Sequence, residues 1–283
     1  MTPGAISGLD SRVRTNQDLD LPRLGLGVFQ VPPGDVTRQA VRWALAAGYR
    51  LIDTAAMYGN EEDVGEAVRA SGVPREEIVV TTKLWHTDHG FESAQAAARR
   101  SQQRLGLGPI DLYLIHWPRA ESPAERLGSW KALEKLRRDG VVRAVGVSNY
   151  AVRHLEELGA ATDLAPSVNQ VEFHPFVYDP DLLRYCERSR IVVEAYSPLT
   201  RGRRLADPRI AAVAAAHDKS PAQVLLRWGL QHGLVELPRS TREARIRENA
   251  AVFDFELGPE EMEQLDRLRD GGRVTAWDPA TIP

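Results

Sequence analysis

The chain has 283 residues, of which 43% are hydrophobic and 27% are charged. This composition allows a sizeable buried core and excludes a largely disordered chain. The formal net charge of −3 gives no reason to expect a nucleic acid or an anionic membrane as a partner. We therefore expect a globular protein with neither partner, and this length is normal for one α/β barrel domain.

The single cysteine and the N-terminal sequence bear on the cellular compartment. Cys186 cannot form an internal disulfide, which is typical of a reducing compartment; its helical setting indicates ordinary packing. Residues 1–10 lack the basic segment and apolar stretch of a secretory signal. Because no apolar run is long enough to span a bilayer, we expect a cytoplasmic protein, and we expect it to be a monomer.

Strand-like and helix-like segments alternate along most of the chain. Residues 1–11 are expected to be a flexible tail, and residues 12–22 could form a small hairpin. Eight strand-like runs follow, at 24–28, 50–53, 78–83, 110–116, 142–147, 167–172, 191–196 and 235–239. Helical patterns between them lie at 35–47, 61–70, 91–105, 124–138, 150–159, 179–189, 211–216 with 221–231, and 242–251.

This alternation defines the expected fold class. Parallel neighbouring strands need crossover connections, and eight repeats favour closure into a (β/α)8 TIM barrel over an open sheet. An open dinucleotide-binding sheet would carry Gly-x-Gly-x-x-Gly at its first strand-to-helix turn. Here Gly25 and Gly27 are followed by Val28 and Phe29, not by a helix start. Since no linker divides the chain, we predict a single barrel domain over residues 1–283.

Four ionisable residues stand at or just beyond the ends of three predicted strands: Asp53, Tyr58, Lys83 and His116. Such residues at the carboxyl ends of barrel strands are typical of a catalytic face. A tyrosine pKa of about 10 is high for proton exchange near neutrality. A lysine ammonium about 4 Å away supplies about 4 kcal/mol toward lowering it. Asp53 would keep Lys83 charged, and His116 could orient a substrate oxygen.

Each of these residues also has an ordinary structural explanation. Asp53 could cap a turn, Tyr58 could pack in a loop, and His116 could be a satisfied core histidine. Lys83 at the end of an apolar strand is harder to explain without a partner. It is their expected meeting at one rim that predicts protonation of a carbonyl oxygen as a hydride arrives at carbon.

Three segments resemble the signature of the aldo-keto reductase family. They are 48–61 (GYRLIDTAAMYGNE), 82–85 (TKLW) and 115–118 (IHWP). The resemblance covers nearly the whole chain, and the short loops are similar to those of bacterial members related to diketogluconate reductases. It implies a (β/α)8 barrel with an N-terminal hairpin that closes the bottom, and a nicotinamide cofactor as the hydride source.

The same resemblance implies roles for the residues of the rim. Tyr58 would be the proton donor, Lys83 and Asp53 would tune it, and His116 would orient the carbonyl group. Phe29, Trp85 and Trp277 would line the substrate pocket together with His116, since aromatic walls suit an apolar pocket with a polar end. For Trp117, core packing is an equal alternative.

A cofactor site is also implied by the resemblance. Ser148, Asn149 and Gln170 match residues that hold the nicotinamide carboxamide, and Tyr196 matches the aromatic residue beneath its ring. From the residues alone, Ser148 and Asn149 would only begin a helix and Tyr196 would pack within a strand. The loop that contains Ser197 and Leu199 belongs to the same site, and it carries Thr200 where the family usually has glycine.

The segment after the last strand carries a possible phosphate site. Ser240 and Glu243 have the spacing of a capping box, so we expect a helix to begin there and to offer free amides to an anion. Arg239, Arg242 and Arg245 recur every three residues, and guanidinium groups suit phosphate. The alternative is a solvated basic helix face.

The resemblance decides between these alternatives. It matches Ser240, Thr241 and Arg245 to a site for adenosine 2′-phosphate, and Glu248 and Asn249 to residues that contact adenine. It therefore implies NADPH as the cofactor rather than NADH.

The resulting prediction is NADPH-dependent reduction of aldehydes and ketones by direct hydride transfer, with Tyr58 as general acid. One rival is a nicotinamide-binding sensor or regulatory barrel without turnover. Another is a metal-dependent hydrolase that uses His86, Asp88 and His89. Three such residues in one loop are weak evidence for a metal site, so we predict no metal.

Overall fold

The computed structural model describes residues 6–282, along which strands and helices alternate. The strands are β1 Arg12–Arg14, β2 Asp20–Pro22, β3 Leu26–Gly27, β4 Leu51–Asp53, β5 Val79–Leu84, β6 Ile110–Ile115, β7 Val142–Ser148, β8 Val168–Glu172, β9 Val192–Tyr196 and β10 Val235–Leu237. The helices are α1 Asp35–Ala46, α2 Glu61–Arg69, α3 Phe91–Leu105, α4 Pro123–Arg138, α5 Val152–Ala161, α6 Pro180–Arg188, α7 Pro208–Ala216, α8 Pro221–Gln231, α9 Glu243–Ala250 and α10 Pro259–Asp266.

Strands β3 to β10 form one sheet in chain order, and each is parallel to its neighbours. The two outer strands meet where Leu24 pairs with Glu236. The Gly25 amide donates to the Glu236 carbonyl at 2.9 Å, and the Glu236 amide donates to the Arg23 carbonyl at 2.9 Å. These bonds close the sheet, so the predicted (β/α)8 barrel is confirmed.

Several helices begin where the local sequence specifies a start. Helices α4, α6, α7 and α8 each have proline in the first turn, and the residue before it accepts backbone amides through its side chain. Those capping residues are Ser122, Asp179, Asp207 and Ser220. Proline suits this position because the first amides of a helix have no partner within the helix.

The N-terminal hairpin closes one end of the barrel, as predicted. Strands β1 and β2 pair antiparallel. The Gln17 side chain between them donates to the Val145 carbonyl at 3.0 Å and the Ala165 carbonyl at 2.9 Å. Leu19 and Leu21 are buried among the inward-facing apolar side chains of the strands. The end of the barrel opposite the predicted catalytic rim is therefore sealed by apolar packing.

The segment expected to be a flexible tail lies partly within the described residues. Ile6 and Leu9 are half-buried against the barrel core, and the Ser11 hydroxyl accepts the Gly8 amide at 3.1 Å. Residues 1–5 lie outside the described residues. Between residues 6 and 282, no helix combines the length and the apolar character needed to cross a membrane.

Replacing Leu21 by alanine tests the sealing role of the hairpin. Leu21 is fully buried, so Leu21→Ala should lower the free energy of unfolding by about 3 kcal/mol through lost burial and a residual cavity. Urea denaturation measures this difference. The control Val36→Ala, at a position 44% exposed, should change the free energy of unfolding little, and equal losses in the two variants would contradict the sealing role.

Candidate active site

The four ionisable residues meet at the carboxyl ends of β4, β5 and β6. Lys83 Nζ lies 2.7 and 2.8 Å from the two carboxylate oxygens of Asp53 and 2.9 Å from the Thr54 carbonyl oxygen. It also lies 3.4 Å from the Tyr58 hydroxyl. The Lys83 side chain is fully buried and that of Asp53 is 5% exposed. The ammonium group is thus fixed beside the phenol, within the barrel mouth.

A short loop after β4 places Tyr58 there. Tyr58 ends a 3-10 turn, and Gly59 follows it with a φ of 69°, in the left-handed region that favours glycine. The buried Asn60 side chain accepts the Thr54 hydroxyl at 2.7 Å and donates to the Val28 carbonyl at 3.1 Å. These bonds tie the loop to the residue after β3 and fix the direction of the phenol.

The expected lowering of the Tyr58 pKa is wrong for the free chain. Burial raises the pKa of Tyr58 well above its usual value of 10.0, the Asp53 carboxylate adds to this, and Arg201 opposes it. Burial is the main physical reason, and the ammonium does not offset it because Asp53 contacts Lys83 Nζ through both oxygens, so that the pair presents little net positive charge to the phenol. The hydroxyl therefore keeps its proton at neutral pH and is a hydrogen-bond donor.

His116 completes the polar floor. Burial, together with the charges of Lys83 and His86, lowers the pKa of His116 well below 6.5, so the imidazole is neutral at physiological pH. Its ring centre lies 5.7 Å from that of Tyr58 and 5.1 Å from that of Trp85. A neutral imidazole has one N–H donor, which can share a carbonyl oxygen with the Tyr58 hydroxyl.

A carboxyl group that the sequence pattern did not indicate extends this network. Gln170 Nε2 donates to Asp53 Oδ2 at 2.8 Å and to Glu194 Oε2 at 2.8 Å. Burial and the nearby Asp53 raise the pKa of Glu194 to about 8. The only available signal was a glutamate inside the apolar run of β9. Glu194 is thus mostly protonated at neutral pH, which reduces the negative charge beside Asp53.

An elongated cavity of about 730 Å³ opens above this floor. The predicted substrate residues Phe29, Trp85, His116 and Trp277 all line it, and so does Trp117. The rings of Trp85 and Trp277 stand 6.3 Å apart at 18°, while those of Trp117 and Trp277 are 5.1 Å apart at 76°. The cavity therefore has an aromatic wall and a polar floor, the combination expected for a carbonyl pocket.

The residues predicted at the nicotinamide carboxamide form one connected cluster. Tyr196 donates its hydroxyl to Asn149 Oδ1 at 2.7 Å, and Asn149 Nδ2 donates to the His116 carbonyl at 2.9 Å. Asn149, Gln170 and Tyr196 line the cavity. Ser148 lies behind them, with its hydroxyl donating to the Gln170 carbonyl at 2.7 Å. Since both amide hydrogens of Gln170 are donated to carboxyl groups, its side-chain oxygen is the atom left to accept a bond from the cavity.

The loop after β9 is conformationally strained. Ser197, Thr200 and Arg201 have φ values of 52°, 51° and 52°, a region that costs non-glycine residues of the order of 1–3 kcal/mol each. Thr200 is β-branched and fully buried, and a residue of this kind rarely adopts a positive φ. Ser197 and Leu199 line the cavity, and the Arg201 guanidinium stands 5.5 Å over the ring of Phe29. The loop therefore reaches across the cavity.

At its far end the cavity reaches the predicted phosphate segment. Arg239, Ser240, Arg245, Glu248 and Asn249 line it, and Thr241 is not among the lining residues.

The capping box predicted from Ser240 and Glu243 is wrong. Helix α9 begins at Glu243 with Arg242 in the capping position. The Ser240 hydroxyl accepts the Arg242 amide at 3.1 Å, because the chain must turn on leaving β10 before the helix starts.

The start of α8 is a further part of the cavity that was not predicted. Ser220, Pro221 and Ala222 line the cavity near the phosphate segment. Ser220 and Gln223 form a true capping box, with the Ser220 hydroxyl accepting the Gln223 amide at 3.3 Å. Their spacing, together with Pro221, was the available signal for a helix start.

Asp88 and His89, which the sequence analysis considered as metal ligands, have other partners. His89 Nδ1 lies 2.8 Å from the Ser129 hydroxyl and its Nε2 lies 3.0 Å from the Trp117 carbonyl oxygen. Asp88 accepts from Arg100 at 2.8 Å. Within residues 6–282 there is no group of three or more His, Cys, Asp or Glu side chains placed to hold a metal ion.

A (β/α)8 barrel with Asp, Tyr, Lys and His meeting at its carboxyl rim defines a class of oxidoreductases, and comparison with known proteins identifies the family. The model of the aldo/keto reductase family matches residues 23–270. The chain belongs to the aldo-keto reductase family.

Individual relatives are similar to this protein along almost the whole chain, in sequence or in structure. Glyoxal reductase of Bacillus subtilis is 47% identical over 268 residues, which cover 95% of this chain and 96% of the relative. An aldo-keto reductase from a Medee basin deep-sea metagenome library has a TM-score of 0.90 at 40% identity, over 96% of this chain and 99% of the other. A Bombyx mori aldo-keto reductase in complex with NADP has a TM-score of 0.87 at 36% identity, over 93% and 94%.

Glu194 should make stability depend on pH. Its pKa is about 8 in the folded chain against a usual value of 4.5, so between these values the unfolded chain releases a proton that the folded chain retains. The free energy of unfolding should fall as pH rises through this window. Glu194→Gln removes this pH dependence. The free energy of unfolding of the variant should therefore exceed that of wild type by an amount that grows to the order of 4 kcal/mol by pH 8 and then levels off.

Urea denaturation of both proteins at intervals from pH 5 to pH 9 measures this difference. The exposed-pair variant Asp254→Asn is the control, since its difference from wild type should not grow over that range. A Glu194→Gln difference that is constant with pH would contradict a neutral Glu194.

Proposed function

We propose that this protein reduces aldehydes and ketones to alcohols with NADPH, by direct hydride transfer and with Tyr58 as the general acid. One observation carries the proposal: a protonated phenol lies 3.4 Å from a buried ammonium and beside a neutral imidazole, at the floor of an aromatic cavity. Family membership and the reductases among its relatives support carbonyl reduction as the reaction class.

The residues of the cavity fit a nicotinamide dinucleotide. Asn149 and Gln170 offer amide groups near the tetrad, Tyr196 offers a ring, and Arg239 and Arg245 offer cations at the far end of the same cavity. When bound there, NADPH would supply the hydride to the carbonyl carbon. The strained loop that reaches Phe29 would cover the middle of the dinucleotide.

The chain's own residues supply the proton. A carbonyl oxygen placed between Tyr58 and His116 accepts hydrogen bonds from both, which fixes the orientation of the carbonyl group. As negative charge develops on that oxygen it becomes a stronger base than a phenolate, so the Tyr58 proton moves to it even though burial raises the pKa of Tyr58. The phenolate that remains can accept a hydrogen bond from the Lys83 ammonium, which lies 3.4 Å away and which Asp53 holds in place.

The residues at the far end of the cavity favour NADPH over NADH as the cofactor. Arg239 and Arg245 are exposed guanidinium groups at the cavity edge, and guanidinium groups bind phosphate through paired hydrogen bonds. The solved Bombyx mori relative is in complex with NADP, which agrees with this choice.

Tyr58→Phe tests the proton donor. The variant keeps the ring but loses the hydroxyl, so kcat should fall by about 10²- to 10⁴-fold while NADPH affinity stays close to that of wild type. Turnover is measured as loss of NADPH absorbance with a panel of aldehydes, α-diketones and keto-sugars. NADPH affinity is measured separately by fluorescence.

The matched control is Tyr185→Phe, on α6 and away from the cavity, which should turn over normally. Equal rates for Tyr58→Phe and wild type would remove Tyr58 as the acid. NADPH binding without turnover of any carbonyl compound by wild type would favour a nicotinamide-binding sensor instead.

Arg245→Gln tests the choice of cofactor. Loss of one charge-assisted bond to the 2′-phosphate should weaken NADPH binding by about 10- to 100-fold and leave NADH binding nearly unchanged. Dissociation constants for both cofactors provide the measurement. Arg247→Gln is the matched control, because Arg247 pairs with Glu243 at 2.8 Å and does not line the cavity. A parallel loss for both cofactors would argue against recognition of the 2′-phosphate by Arg245.

A further inference from the structure

The C-terminal segment, residues 274–282, runs past the mouth of the cavity and is held at both ends. At its beginning, the Val274 and Thr275 amides are bonded to Glu172. At its end, the Ile282 carbonyl accepts from His154 Nε2 at 3.0 Å and from Arg153. Between these anchors the only regular structure in this stretch is the 3-10 turn Pro279–Thr281.

Glu172 is the stronger of the two anchors. It is the last residue of β8, and its side chain is fully buried. Its Oε1 accepts the Val274 amide at 2.6 Å and His174 Nε2 at 2.9 Å. Its Oε2 accepts the Thr275 amide at 3.1 Å and also the Thr275 hydroxyl. Burial raises the pKa of Glu172, but these bonds outweigh it and the pKa lies below 4.5, so the carboxylate is ionised at neutral pH.

Trp277 lies between the anchors and contacts the aromatic wall. Its ring centre is 5.1 Å from that of Trp117 and 5.6 Å from that of His86. Arg119 stacks on the ring of Trp277, with its guanidinium carbon 4.6 Å from the ring centre. An exposed cation–π contact of this kind is a weak interaction, whereas hydrogen bonds to a charged group are among the stronger ones in proteins. The Glu172 bonds, not the rim contact, therefore dominate the position of the segment.

The rings of Trp85 and Trp277 bound one side of the cavity. Trp85 and Trp277 are nearly parallel, with centres 6.3 Å apart. Both rings line the cavity, so the position of Trp277 sets how much room the cavity has beside Trp85. A bulky aromatic carbonyl compound needs more of this room than a small aliphatic one, and gains more when Trp277 moves outward.

We propose that Glu172 is a positioning residue that sets substrate size: by holding Val274 and Thr275 it fixes Trp277 against Trp85 and favours small aliphatic carbonyl compounds. This rests on the proposed carbonyl reduction. Glu172 need not touch substrate to do so, because it acts through the backbone of the segment that carries Trp277.

Glu172→Gln and Thr275→Val test the proposal in the full-length protein. Glu172→Gln places an amide NH2 group among the backbone amides that donate to the carboxylate. Thr275→Val removes only the hydroxyl that donates to Glu172. This milder variant keeps the test decisive if Glu172→Gln fails to fold. Hydrogen exchange followed by mass spectrometry reports directly on the Val274 and Thr275 amides. We expect their exchange to accelerate by about tenfold or more in Glu172→Gln and by less in Thr275→Val.

The kinetic measurement compares methylglyoxal with 2-naphthaldehyde as small and bulky substrates. In Glu172→Gln, the ratio of kcat/KM for the bulky over the small aldehyde should rise about fivefold or more, because a gain of roughly 1 kcal/mol corresponds to that factor. KM for the bulky aldehyde should carry most of the change, and kcat for methylglyoxal should change little. Asp254→Asn, which removes a surface pair with Lys219, is the control for both measurements.

Unchanged exchange at Val274 and Thr275 in a folded Glu172→Gln protein would show that Glu172 does not hold the C-terminal segment. Faster exchange with an unchanged ratio of kcat/KM for the two aldehydes would show that Glu172 does not set substrate size. A wild-type protein that turns over neither aldehyde would instead contradict the proposed function. The exchange result would still decide whether Glu172 holds the segment.

Discussion

The buried ion pair between Lys83 and Asp53 is the interaction on which the geometry of the candidate active site depends. Removing two charges from water costs several kcal/mol per ion. Contacts of 2.7 and 2.8 Å from Lys83 to both Asp53 oxygens, with the Thr54 carbonyl as a third acceptor, offset this cost. Neighbouring parallel strands bring the two residues together, since Asp53 pairs in register with Thr81, two residues before Lys83. The result is a fixed but nearly neutral pair beside Tyr58, which leaves the phenol protonated.

The rest of the barrel interior keeps that pair dry and oriented. Below it, Leu19 and Leu21 of the hairpin pack on apolar side chains and seal the barrel. Beside it, Gln170 bridges Asp53 to Glu194, whose raised pKa of about 8 leaves one negative charge in the layer at neutral pH. A sealed apolar base and a polar upper layer with balanced charge are what allow ionisable groups to work inside the barrel.

The walls of the cavity come from segments outside the sheet, and they are held in a different way. The loop with Ser197, Thr200 and Arg201 keeps three residues at positive φ. The C-terminal segment is bonded to Glu172, which lies 102 residues before Val274 in the sequence. Strain and long-range bonds of this kind are common where a loop must hold one shape over a ligand. The barrel thus supplies the ionisable groups, and the loops bound the cavity.

Much of this molecule followed from local sequence. The eight-fold alternation predicts the barrel, the ends of the apolar runs predict Asp53, Lys83 and His116 at one rim, and proline after a capping residue marks four helix starts. Such signals are local, because strand and helix periods and caps involve residues a few positions apart. The direction of the Tyr58 pKa, the contact of Gln170 with Glu194 and the bonds of Glu172 to Val274 depend on burial and on packing between distant residues. Only the tertiary structure decides these, since the electrostatics of a buried group depend on neighbours that the local sequence does not specify.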